Sequence, residues 1–302
     1  MNRYFALIFV LIFSVVSAQN TETLRLKKYE VAQLSDTIKE TSALNFFQGK
    51  LYTLNDSGNT SELFEIDSVS GKIVNVLKTG LINKDWEALT SDENHFYIGD
   101  FGNNSGSRKD LKIYQVPFKN DSLQKDSIRT ISFFYPEQKD FSPKNINNNF
   151  DAEAMIFLNG KVHIFTKEWV SKGVSHYVVD INSIEPQPTQ KTEYFQTDFV
   201  VTDAAYFQGK LYFVGYTKGA AVYMMIFQES KPGVFFEKPP KKFHMGSAFS
   251  IGQIEGIAIN ENGIYISGEE FSSPLGKSRQ RLYFIPDHKK TEVKHSGLLL
   301  TD

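Results

Sequence analysis

The sequence predicts an all-β fold: a β-propeller of five blades, with six blades as the alternative. Three observations carry that expectation. An acid, a small residue and an apolar run recur along the chain, as in "WEALT", "AEAMI" and "IEGIA". Each copy leads through a turn into a second strand that alternates aromatic or branched residues. The copies recur at roughly the 40–50 residues of a propeller blade.

Aligned on their acids, the units read "ETSALNFFQGKLYTLNDSGN", "WEALTSDENHFYIGDFGNN", "AEAMIFLNGKVHIFTKEW", "TDAAYFQGKLYFVGYTKG" and "IEGIAINENGIYISGEEF". Hairpin turns fall at Gln48-Gly49, Asp92-Glu93-Asn94, Asn159-Gly160, Gln208-Gly209 and Asn262-Gly263. Asn and Gly tolerate the positive φ that tight hairpins need. Third strands follow at 62–67, 111–117, 175–181, 221–227 and 281–287. Fourth strands are expected at "KIVNVLK", "IRTISFFY", "KTEYFQ", "GVFFEK" and "TEVKHSG". The longest gap between acids holds "PEQKDFSPKNINNNFD", read as a surface loop. A sixth, degenerate unit would have to hide there. The N-terminal strand in "LRLKKYEVAQL" has no unit of its own. It is expected to complete the last blade and close the ring, which removes free sheet edges.

The first twenty residues read as an export leader. Arg3 lies in a short head, Tyr4 to Val16 is nearly all apolar, and Ser17-Ala18 ends in small residues. Residues 1–18 are read as a signal peptide and 19–302 as one propeller domain, secreted or periplasmic. The run is short for a membrane anchor, which needs about 20 residues. There is no Cys, so thiolate chemistry, Cys-based zinc sites and disulfides are excluded. A net charge of −2, without a basic stripe, gives no footprint for nucleic acid. The six His form no zinc-binding spacing, and no phosphate-cradling glycine loop or nucleophile elbow is present.

The first strand of a blade lines the central channel, so acids opening those strands meet at one mouth. Glu40, Glu87, Glu153, Asp203 and Glu255 are therefore the candidate metal ligands. Five carboxylates in one ring need compensation, and calcium takes six to eight oxygen ligands. The competing reading is structural: such acids accept backbone N–H groups and lock blades together. Antiparallel return brings the ends of the second strands to the same face. That adds Asn55, Asp56, Asp100, Asn103, Lys167, Trp169 and Glu269 as candidate ligand-binding residues, with Lys218 and Arg108 nearby. Trp86 is expected in the core. Phe101 and Phe271 are expected to form an aromatic rim with Trp169.

The motifs "NDSGN", "DWEALTSDENHFYIGDFGNN", "DAEAMIF" with "TKEW", and "IEGIAI" resemble a group of exported bacterial propellers, most without assigned activity. The chain departs from that pattern at "ETSAL", and at Ala88, where the group carries a second acid. "WEALTSDENHFYIGDFG" and "IEGIAI" are more distantly similar to calcium-activated nucleotidases (apyrases) and to phytase-like propellers. That likeness implies calcium-assisted phosphate chemistry. Two functions follow. The first is a calcium-binding module for a small anionic ligand or an extracellular protein or glycan. The second is a calcium-dependent phosphohydrolase, with Asp56 or Asp100 orienting water and Lys167 or Lys218 holding phosphate.

Overall fold

Residues 21–273 and 276–287 are described by a computed structural model. The leader and the "TEVKHSG" segment lie outside the described residues. Five antiparallel sheets of four principal strands form the ring. The first blade runs Thr41–Phe47, Lys50–Asn55, Glu62–Ile66, Ile73–Lys78. The second runs Trp86–Ser91, His95–Asp100, Lys112–Lys119, Arg129–Phe134. The third runs Ala152–Leu158, Lys161–Thr166, Val174–Val179, Gln190–Phe195. The fourth runs Val200–Phe207, Lys210–Tyr216, Ala221–Gln228, Lys241–Ser247. The fifth runs Gln253–Asn260, Gly263–Glu269, Arg281–Pro286, and its outer strand is Glu30–Gln33 from the N-terminal end. That strand pairs antiparallel with Arg281–Pro286, which is the expected closure.

Each innermost strand packs against those of the two adjacent blades, and the fifth returns to the first. The hairpins follow from local chemistry. Gln48-Gly49, Asn159-Gly160 and Gln208-Gly209 all have both residues at positive φ, the turn whose twist matches the paired strands. Five apolar clusters form the core, one in each gap between neighbouring blades. Trp86 is fully buried between the first and second blades, as expected.

One strand assignment changes. "GVFFEK" does not form the outer strand of the fourth blade. Pro232, Pro239 and Pro240 deprive that stretch of ladder donors. It folds as a turn closed by a Lys231–Val234 bridge, with Phe235 fully buried, and the outer strand begins at Lys241. A short strand, Thr21–Thr23, then adds in parallel to that outer strand.

All five innermost strands carry a β-bulge at the same height. The residue left unpaired is Ser42, Glu87, Glu153, Thr202 or Glu255 in turn. A bulge turns a side chain out of the regular alternation and occurs often beside functional sites. Here it sets which residues face the channel mouth.

Candidate functional site

The bulges redefine the ring. Glu87, Glu153 and Glu255 are equivalent to one another, but the first blade contributes Ser42 and the fourth Thr202. Glu40 is two residues before its bulge and Asp203 one residue after. Asp203 instead aligns with Ala43, Ala88, Ala154 and Gly256, small residues around the channel axis. Its carboxylate accepts N–H groups of Ala204 and Ile257, both at 2.7 Å, and of Leu44 at 3.3 Å. It ties the fourth blade to the fifth and the first. Burial drives its pKa well above the ordinary value, and those three N–H groups oppose the rise.

A second ring lies at the end of the second strands. Pairing registers make Asp56, Phe101, Lys167, Tyr216 and Glu269 equivalent. Four of these five line one cavity with the bulge residues Ser42, Glu87, Glu153 and Glu255. The cavity measures about 310 Å³. Phe101 is the exception: it is fully buried in the core rather than forming an aromatic rim, and its ring occupies the space that a side chain on Gly99 would need. Phe271 packs edge-on against Phe249, with ring centres 5.4 Å apart.

Three carboxylates converge on the side between the first and second blades. Asp56, Asp85 and Glu87 each bring an oxygen within 4.8 Å of the others. The Asn83 side chain holds the two blades in place there. It donates to the carbonyls of Asn55 and Asp56 and accepts the Trp86 N–H. Gly102 lies against the group: a Cβ there would sit 2.5 Å from both Asp85 Oδ2 and Glu87 Oε1. Burial raises the pKa of Asp85 to about 6, with Asp56 adding to it and Arg108 opposing. Burial and then Asp56 raise Glu87 well above its ordinary value, and burial raises Asp56.

Elsewhere the wall is internally satisfied. Lys167 places its ammonium on both oxygens of Glu153, 5.2 Å from the Trp169 ring centre and 5.3 Å from that of Tyr216. Burial works against that charge, and Glu153, Tyr216, Glu255 and Asp151 together outweigh it, raising Lys167 well above its ordinary value. Ser42 donates to Glu87, and Tyr216 donates to Glu255. The Gln253 amide donates to Glu255 at 2.6 Å and to Glu269 at 2.7 Å. Burial, then Glu255, raises Glu269. Trp169 Nε1–H is shared between Asn104 and Asp151.

The remaining candidates fall outside the lining. Glu40 accepts from Asn59 at 2.5 Å. Asp100 is fully buried and paired with Arg108 at 2.8 Å. Asn55 donates to Thr37, and Asn103 bridges Phe150, Arg108 and Asp151. Lys218 is exposed, 5.9 Å from the Trp169 ring centre. Sequence reasoning missed Asp85, Asp151, Tyr216 and Gln253. Three of these carried a signal: Asp85, Asp151 and Gln253 each stand two residues before a bulge glutamate, in "DWE", "DAE" and "QIE".

No helix among the described residues is long and apolar enough to cross a membrane. No family model matches the chain, and no curated protein matches it. Solved structures do. One is a putative oxidoreductase (glucose dehydrogenase) from Thermus thermophilus, at 10% identity and TM-score 0.45, covering 84% of this chain and 98% of that one. Another is a hypothetical protein from Leishmania major, at 13% identity and TM-score 0.45, covering 85% and 90%. The hydrazine synthase of Kuenenia stuttgartiensis aligns at 9% identity and TM-score 0.42, covering 84% and 67%. At these values the likenesses carry no argument about activity, and the five-bladed ring rests on its own strand pairing.

Proposed function

We propose that this is an exported, cation-centred binding module that holds calcium at Asp56, Asp85 and Glu87. The observation that carries the reading is the convergence of these three carboxylates, from two blades, against a residue with no Cβ. The donors are all hard oxygens, the type that selects calcium over softer metals. Ser42 and the open cavity leave room for water or a guest oxygen to complete the coordination. The leader and the resemblance to exported propellers support a setting outside the cytoplasm, where modules binding calcium at roughly 10⁻⁴–10⁻³ M function. Two of the shared motifs, "DWE" and "GDFGNN", contain Asp85, Glu87 and Gly102.

The phosphohydrolase reading is weaker on this geometry. Lys167, expected to hold phosphate, is buried and committed to Glu153, and Asp100 is committed to Arg108. Carboxylates dominate the cavity and repel a phosphoanion.

Calorimetric titration of calcium into the protein, with Asp85→Asn and Glu87→Gln alongside, tests the proposal. The expected result is saturable binding, a rise in melting temperature with calcium, and loss of both in the variants. A melt unmoved by millimolar calcium, with no heat of binding, would overturn it.

A further inference from the structure

The hydrogen-bond pattern of the cavity specifies what else enters it. Every donor that its wall supplies to a carboxylate is already spent there. Ser42 serves Glu87, Lys167 serves Glu153, Tyr216 serves Glu255, and Gln253 serves both Glu255 and Glu269. What remains on the carboxylates is acceptor, beside the side-chain amides of Asn104 and Asn145 elsewhere in the wall. The Oε2 atoms of Glu255 and Glu269 accept no hydrogen bond among the described residues, although Glu255 is only 6 % exposed. One amide nitrogen bridges the two carboxylates, so they lie side by side. Each carboxylate is held through its Oε1 and keeps its other oxygen free to accept.

Charge points the same way. Asp56, Asp85, Glu87, Glu153, Glu255 and Glu269 carry six negative charges when ionised, against Lys167 and, beside Asp85, Arg108. A divalent ion still leaves an excess of negative charge, and the uncompensated pair is Glu255–Glu269. The chain itself shows how this wall receives an ammonium. Lys167 sits on Glu153 against the faces of Trp169 and Tyr216, an arrangement in which the aromatic quadrupole adds to the carboxylate.

We propose that Glu255 and Glu269, with Gln253 fixing them and Tyr216 beside them, form a subsite for the primary ammonium group of a small organic amine. The inference rests on the cation-centred reading above and adds a second guest to the same cavity. It reverses the sequence-based expectation of an anionic ligand. Size restricts the guest to a small molecule. A cavity of about 310 Å³ is at the low end for ligand pockets. The strap from the long insertion also lines it, placing Asn145 and Ile146 in the wall. That strap is pinned by Lys144 N–H to Ser105 and Ile146 N–H to Asn104, both at 2.8 Å.

The test titrates three probes of similar size into the calcium-saturated protein, followed by calorimetry and thermal melting. They are n-butylammonium, butyrate and a neutral polyol, glycerol. The expected result is saturable binding of n-butylammonium alone, weakened at least tenfold in Glu269→Gln and in Glu255→Gln. Binding of butyrate or glycerol with none of the amine would overturn it, as would amine binding unchanged in both folded variants. Calcium binding without amine binding sinks this inference and spares the ion. Amine binding without calcium binding does the reverse.

Discussion

The Asp203 carboxylate accepts the backbone N–H of Ile257 in the next blade at 2.7 Å, inside a ring of small residues. With Leu44 and Ala204 also donating, one side chain satisfies three backbone groups from three blades. Asp203→Ala orphans those donors, at roughly 1–3 kcal/mol for each buried unsatisfied group. We expect a total loss of about 3 kcal/mol in urea unfolding. Asp203→Asn, which keeps one acceptor oxygen, should lose less. A loss under about 1 kcal/mol for the alanine variant would show that this acid does not lock the blades.

Gly102 is the sharpest single probe of the ion seat. Its missing Cβ leaves space that the Asp85 and Glu87 oxygens occupy. Gly102→Ala should force those carboxylates apart and weaken calcium at least tenfold, about 1.4 kcal/mol. Gly102 is buried, so the affinity is compared on variant protein shown to be folded by its melt without calcium. Unchanged calcium affinity would place the ion elsewhere.

The same seat sets a pH dependence. Asp85 and Asp151 are both raised to about 6, chiefly by burial. Calcium must displace protons from Asp85 and Glu87, so apparent affinity should rise with pH through about 6 and go on rising above it, because Glu87 is raised well above the ordinary carboxylate range. Asp151 lies outside the seat, where it holds Trp169 and the Asn103 loop. Asp151→Asn should therefore keep the calcium pH profile, whereas Asp85→Asn should abolish binding. A flat profile between about pH 5 and 7.5 would remove Asp85 from the seat.

These outcomes depend on residues of unequal legibility. Most strands, four of the five hairpin turns and the ring closure were readable because period-two alternation and Gly turn chemistry are local signals, whereas the fifth turn falls at Glu261-Asn262, one residue before the expected place. Glu87, Glu153 and Glu255 were readable because the motif repeats around them. Glu40 and Asp203 were placed in the ring by aligning acids as letters. The bulge, which is a pairing event between strands, puts Ser42 and Thr202 there instead. Phe101 went wrong for a related reason: only Gly99, on the strand before it, lets its ring turn inward. Gln253 and Tyr216 matter through bonds to glutamates close in space, which spacing along one chain does not display.

A last prediction concerns a buried relay away from the mouth. His163 Nδ1 and His176 Nε2 are 2.8 Å apart, and His176 Nδ1 lies 3.0 Å from Glu193 Oε2. Glu193 also accepts the N–H groups of Phe235 and Phe236, which binds the third blade to the fourth-blade turn. With Glu193 as acceptor, His176 donates from Nδ1, so its Nε2 must accept from His163. A further proton then enters at His163 Nε2. Burial, then His176, pushes His163 down to about 4. Its folded pKa lies below the unfolded value of 6.5, so its contribution to stability is complete above about 6.5. That contribution is lost as pH falls towards 4, by up to about 3 kcal/mol. Asp85 and Asp151, raised in the folded state, pull the other way over the same range, so the effect must be read as a difference. His163→Gln keeps a donor for His176 and does not titrate. Between about pH 7 and 4.5 the wild type should lose about 2 kcal/mol more than this variant in urea unfolding, since both carboxylates act equally in each protein. Parallel pH curves for the two would mean that His163 is not the group that acid charges.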